Sequence, residues 1–157
     1  MSHIRIWRKV ANGNEDYCLV LEDDAIFPAN FPLRLGQIWQ RIKDNKDWQI
    51  FFLGFHDINP HIYRDKIISR EIYQFTTFPR IHGGGTHSYL LRKSGAKALC
   101  DIVDRIGVQQ PIDHFMIDQF DVIPTYYVYP PLILAEVATP MTPNVDSDIQ
   151  KETEQIK

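Results

Sequence analysis

The sequence predicts an α/β layered domain. Apolar runs of strand length alternate with segments of helical period, the strand runs are too continuous to belong to half-exposed sheets, and Gly or Pro punctuates the joins. The chain has 157 residues, room for one domain or a large piece of one, and its 44% hydrophobic and 12% aromatic content is enough for a packed core.

Ser2 to Ala11 reads as the first helix: Ser2 can cap it, His3, Ile6, Trp7, Val10 and Ala11 form a stripe, and Gly13 can end it. Tyr17-Cys18-Leu19-Val20-Leu21 follows, a continuous apolar run expected to be a strand buried on both faces. After Pro32 a second helix places Leu35, Ile38, Trp39 and Ile42 at i, i+3, i+4 and i+7. Trp48 to Leu53 is the next apolar strand, closed by Gly54. Residues 55–70 are polar and lack a period, so a long loop is expected there. Ile72 to Phe78 and Ser88 to Leu91 read as short strands. Ser94 is expected to cap a helix with Ala96, Leu99, Cys100, Val103 and Ile106 on one face. Ile123 to Tyr129 reads as a strand that Pro124 should confine to an edge. Residues 146–157 form a polar tail after the domain at 1–145.

A net charge of −3 gives no basic footprint for nucleic acid. Cys18 and Cys100 both read as small buried hydrophobes, which fits a reducing compartment. No apolar stretch has the length of a membrane span and the N-terminus has no signal-type apolar segment, so the expectation is a cytoplasmic protein.

The sharpest chemical signal is Glu22-Asp23-Asp24, three acids directly after an apolar strand. Burial of that strand, at roughly 1.5–3 kcal/mol per large apolar side chain, would fix where the acids stand. In open α/β sheets ligands bind beyond the carboxyl ends of strands. Adjacent carboxylates repel unless solvated, paired or bound to a cation, and Mg2+ or Mn2+ would answer that need with coordination positions left for phosphates. A solvated acidic turn and a helix cap at Asp24 are the other readings. His82-Gly83-Gly84-Gly85 resembles an oxyanion-hole loop, but none of the five serines lies in the Gly-x-Ser-x-Gly elbow which that chemistry requires. His87 reads as a third metal ligand or as a structural histidine. His56, Asp57 and His61 read as a solvated loop or an acceptor contact. Trp7, Trp39 and Trp48 belong to core patterns, while Tyr126, Tyr127 and Tyr129 fit strand packing and an acceptor groove equally well.

Ser2-His3-Ile4-Arg5-Ile6-Trp7 followed by Tyr17-Cys18-Leu19-Val20-Leu21-Glu22-Asp23-Asp24-Ala25 resembles the opening motif pair of glycosyltransferase family 25, which includes lipooligosaccharide and collagen hydroxylysine galactosyltransferases. Trp48 to Leu53, Gly85-Thr86-His87-Ser88-Tyr89-Leu90-Leu91, Ser94-Gly95-Ala96-Lys97 and Pro111-Ile112-Asp113-His114-Phe115 resemble its later motifs in order, and Pro130-Pro131-Leu132 and Ser147-Asp148-Ile149 its end. The resemblance implies a GT-A-like mixed sheet with flanking helices, a UDP-sugar donor, a glycan or glycoprotein acceptor, Mn2+ (or Mg2+), and transfer of a hexose with inversion. By the same resemblance Glu22 and Asp24 bind the metal, Asp23, Gly85 and Tyr89 meet the donor, and Asp113 is the general base, with His87 and His114 as second choices. His114 departs from the acid of the collagen enzymes. Family members carry further N-terminal units that help bind the nucleotide, so the implied alternatives are a non-catalytic remnant, a homo-oligomer, or assembly with a partner supplying those units.

Overall fold

The computed structural model describes residues 2–56, 60–63, 65–75 and 84–136. The elements run α1 (Ser2–Asn12), β1 (Tyr17–Leu21), β2 (Ala25–Ile26), α2 (Phe31–Ile42), β3 (Ile50–His56), α3 (Pro60–Tyr63), β4 (Lys66–Ser69), β5 (Ile72–Gln74), β6 (Gly84–Arg92), α4 (Lys93–Ile106), α5 (Ile112–Ile117), β7 (Thr125–Val128) and β8 (Leu134–Ala135).

Two-residue periodicity sorts the strand side chains onto two layers. Ile50 and Phe52 of β3, Tyr89 and Leu91 of β6 and Tyr127 of β7 turn to one face, where Trp7 of α1, Leu99 and Cys100 of α4 and Phe115 and Met116 of α5 cover them. Phe51 and Leu53, Leu90, and Tyr126 and Val128 turn to the other face and meet Ile38 and Ile42 of α2. The result is the mixed sheet with flanking helices that a nucleotide-sugar transferase fold requires.

Among the described residues six strands form that sheet in the order β1-β6-β3-β7-β5-β4, and β2 and β8 pair as a separate two-stranded ribbon whose β8 lies against β3. β6 runs antiparallel to both β1 and β3, and β3 runs parallel to β7. The carboxyl ends of β1 and β3 therefore meet the start of β6 at one edge of the sheet. Pairing between β3 and β6 slips on both sides of Gly54. Irregularities of this kind re-aim side chains and are frequent beside functional sites.

Several sequence expectations are corrected. Among the described residues β1 is an edge strand, paired only with β6: Val20 is 3% exposed, but Tyr17, Leu19 and Leu21 are 41%, 41% and 39% exposed. An apolar run reports strand-forming tendency, not the number of neighbours. β7 lies inside the sheet rather than at an edge, because the strand starts at Thr125; Pro124 precedes it and uses only its carbonyl, which accepts from the Gln49 N–H at 2.8 Å. α4 begins at Lys93 with no side-chain cap, and Ser94 instead donates to the Gln49 side chain. The loop expected over 55–70 holds the end of β3, then α3 and β4. Trp48 lies just before β3, its indole N–H donating to the Ile42 carbonyl at 3.0 Å. Cys18 is only half-buried, and Cys100 is buried; neither is in a disulfide. Among the described residues no helix is long and apolar enough to cross a membrane. The strand expected over 72–78 is described only as far as Gln74, and the tail 146–157, with the segment Ser147-Asp148-Ile149, lies outside the described residues.

The edge position of β1 makes a quantitative distinction. Leu99→Ala, in a fully buried site between helix and sheet, should cost about 2–5 kcal/mol in urea unfolding. Leu19→Ala should cost about 0.5 kcal/mol, as expected for an exposed side chain away from special features.

Candidate active site at the carboxyl ends of β1 and β3

The acidic triplet leaves β1 at this edge. The Glu22 N–H donates to the His87 carbonyl at 3.0 Å, extending the β1–β6 pairing by one step and tying the first acid to β6. Glu22 Oε1 accepts from the Thr86 hydroxyl and lies 2.9 Å from His3 Nε2. Burial alone would raise the Glu22 carboxyl pKa; the hydrogen bonds from His3 and Thr86 outweigh it and hold the value below the usual one. His3 in turn reaches the core, where Nδ1 is 2.9 Å from the Tyr89 hydroxyl and the Trp7 indole N–H donates to the same oxygen at 2.9 Å.

Asp23 is exposed and Asp24 is partly buried. Asp24 Oδ1 is shut off from solvent and has no hydrogen-bond partner among the described residues, while its backbone carbonyl accepts from the Glu136 N–H. His87 is buried, with Nε2 3.3 Å from the Ile133 carbonyl and Nδ1 without a partner among the described residues. Burial pushes the His87 imidazole pKa down, and His56, whose ring centroid is 5.0 Å away, pushes it further; the Ile133 carbonyl, Asp24 and Glu22 oppose the shift. The imidazole is thereby kept in its neutral form.

Asp113 of α5 meets the start of the same strand. Its Oδ2 accepts from the Gly85 N–H at 3.2 Å and its Oδ1 from the His114 N–H at 2.8 Å. A Cβ at Gly84 would lie 2.6 Å from Asp113 Oδ2, and one at Gly85 would lie 2.6 Å from the His56 ring. Gly85 also has φ +84°, a left-handed conformation natural to glycine. The bonds Asp113–Gly85 and Glu22–Thr86 thus fall on consecutive residues, so two carboxylates are bonded at the start of β6. His114 is exposed on α5.

Residues 1–116 match the model of Glycosyltransferase family 25 (LPS biosynthesis protein). The chain belongs to glycosyltransferase family 25. Within the family it is 29% identical over 126 residues to inactive glycosyltransferase 25 family member 3 of Homo sapiens, covering 77% of this chain and 20% of the human protein. It is 26% identical over 130 residues to procollagen galactosyltransferase 1-B of Xenopus laevis, covering 77% of this chain and 19% of that protein. A protein of Acanthamoeba polyphaga mimivirus that carries a glycosyltransferase name aligns with all of this chain at 28% identity, across 48% of its own length. The chain therefore spans about a fifth of the vertebrate relatives and about half of the viral one.

The structure brings Glu22, Asp24, Gly85 and Asp113 to one end of the sheet. Tyr89 is enclosed in the core and reaches that end through His3. Four participants carried no assigned role in the sequence: His3, Thr86, Gly54 and Trp7. His3 and Trp7 look like a helix stripe until the helix is placed against β6. His82, Gly83 and Asp57 lie outside the described residues.

Metal fit can be judged from the donors. Among the described residues no three His, Cys, Asp or Glu side chains converge as an ion cage. Mg2+-type sites commonly use one or two carboxylates together with substrate phosphates, and the orphaned Oδ1 of Asp24 beside Glu22 fits that pattern. His61 of α3 makes a ring contact with Tyr73.

Gly54 sets the space for His87. A Cβ there would overlap His87 Nε2 and the Ile133 carbonyl, two groups that cannot both retreat. Gly54→Ala should therefore lower unfolding stability by about 1–3 kcal/mol, read by urea denaturation. It should also shift the His87 ring resonances in NMR spectra.

Proposed function

We propose that this chain acts as a hexosyltransferase, moving galactose or glucose from a UDP-sugar to a glycan or hydroxylysine acceptor with inversion and with Mn2+ (or Mg2+). The observation that carries this reading is the placement of Asp24 and Asp113 about the start of β6: one carboxylate with an orphaned oxygen, the other bonded to Gly85. Family membership and the name of the frog relative support a galactosyl donor.

In this reading Asp24 supplies Oδ1 to the cation and Glu22 its second carboxylate oxygen. When bound, the cation offsets the charge that gathers on the departing nucleoside diphosphate. Asp23, exposed at the rim, orients the donor ribose or sugar. Gly85 lets the backbone approach the donor, because the position carries no Cβ. Tyr89 contributes from the core by holding His3. Asp113 takes the proton of the acceptor hydroxyl, and the Gly85 and His114 N–H groups hold its carboxylate in one orientation for that task.

A second reading is a non-catalytic binding module that keeps the fold. The human relative's name, and the fifth of its length that this chain spans, favour it. Calorimetric titration with UDP and Mn2+ separates the two: heat and a raised melting temperature support the transferase, and their absence in a folded chain supports the module. In the transferase, Asp24→Ala should remove Mn2+-dependent UDP binding and transfer together; full activity in that variant would take the metal out of the reaction. Asp113→Asn should lower kcat by about 100- to 10,000-fold and leave donor affinity nearly unchanged.

A further inference from the structure

We infer that His3 is a positioning residue of this site: its Nδ1 accepts from the Tyr89 hydroxyl and its Nε2–H holds the Glu22 carboxylate at the start of β6. The effect on donor binding rests on the transferase reading above; the tautomer does not.

An indole N–H can only donate, so at 2.9 Å from Trp7 Nε1 the Tyr89 oxygen is an acceptor. Tyr89 keeps its proton, because burial pushes the phenol pKa well upward, and it must donate that proton elsewhere. Trp7 and Tyr89 are both fully enclosed, which removes water as the recipient. The remaining partner is His3 Nδ1, 2.9 Å away. Nδ1 therefore accepts, and the ring proton sits on Nε2, which faces Glu22 Oε1 at 2.9 Å. The opposite tautomer would place two donors on one oxygen and strand the phenolic proton.

The direction of donation thus runs from Trp7 through Tyr89 and His3 to Glu22. Thr86 donates to the same carboxylate oxygen, so Oε1 receives two donors and Oε2 takes none among the described residues. His3 also stacks on Tyr89, with ring centroids 5.9 Å apart and planes inclined by 20°. The carboxylate that follows the edge strand is in this way tied to two of the largest fully buried side chains in the core. Partners that orient a ligating group in this manner commonly change metal affinity by about 10- to 100-fold when removed.

Two measurements on the 15N-labelled full chain test this. Long-range proton–nitrogen correlation spectra should show His3 protonated on Nε2 with Nδ1 bare, and Tyr89→Phe should leave the proton on Nε2, where the Glu22 carboxylate accepts it, while shifting the Nδ1 resonance as its hydrogen bond is lost. Protonation on Nδ1, or an unchanged Nδ1 resonance in Tyr89→Phe, would overturn the assignment. His3→Leu should weaken binding of Mn2+ with UDP by about 10- to 100-fold, whereas His3→Gln, whose amide can still donate to Glu22, should retain most of it. Equal affinities of the two folded variants would reduce His3 to packing and overturn the positioning role. If the wild-type chain takes up no Mn2+ with UDP, the transferase reading falls, and the His3 spectra still decide the tautomer.

Discussion

The antiparallel pairing of β6 with both β1 and β3 is the constraint on which the site depends. Strands running in opposite senses bring the end of one beside the beginning of the next. Glu22 to Asp24 leave β1 where Gly84 to His87 enter β6, and His56 closes β3 at the same level. β6 is the long strand of the sheet, buried from Thr86 to Leu91, so the position of its first residues is inherited from the whole core. A shift of β6 by one residue would turn Tyr89 and Leu91 to the α2 face and take Tyr89 away from Trp7 and His3.

Polar groups at this edge are held by a small number of close approaches. Gly54, Gly84 and Gly85 each stand where a Cβ would meet a side chain of the site. Their absence of side chains lets His87, Asp113 and His56 converge on one stretch of backbone. The groups there are unequally satisfied: Glu22 accepts from two donors, whereas Asp24 Oδ1 and His87 Nδ1 have no partner among the described residues. Buried polar atoms without partners are costly and are expected where a ligand completes the bonding.

Much of the framework was legible in the sequence. The stripes of α1 and α2, the apolar core of β3 and the acids after β1 all follow from local periodicity and local chemistry, as does the α4 face except at its end, where Ile106 is exposed and Ile102 is buried instead. Misreadings arose where neighbours decide. Tyr17 to Leu21 has the composition of an interior strand and lies at an edge; Pro124 marks the start of an interior strand. Ser94 has the residue type of a cap, yet its hydroxyl finds Gln49 across the helix–sheet joint.

By itself the sequence determined the family, the layered α/β class and the presence of Glu22, Asp24 and Asp113 as chemically capable groups. Only the tertiary structure decided which of them stand together and what steadies them. Glu22 and His3 are 19 residues apart, and His3 and Tyr89 are 86 apart. Contacts at such separations leave no periodicity in a single chain. They exist because α1 packs on the face of β6 that carries Tyr89, which is a property of the assembled core.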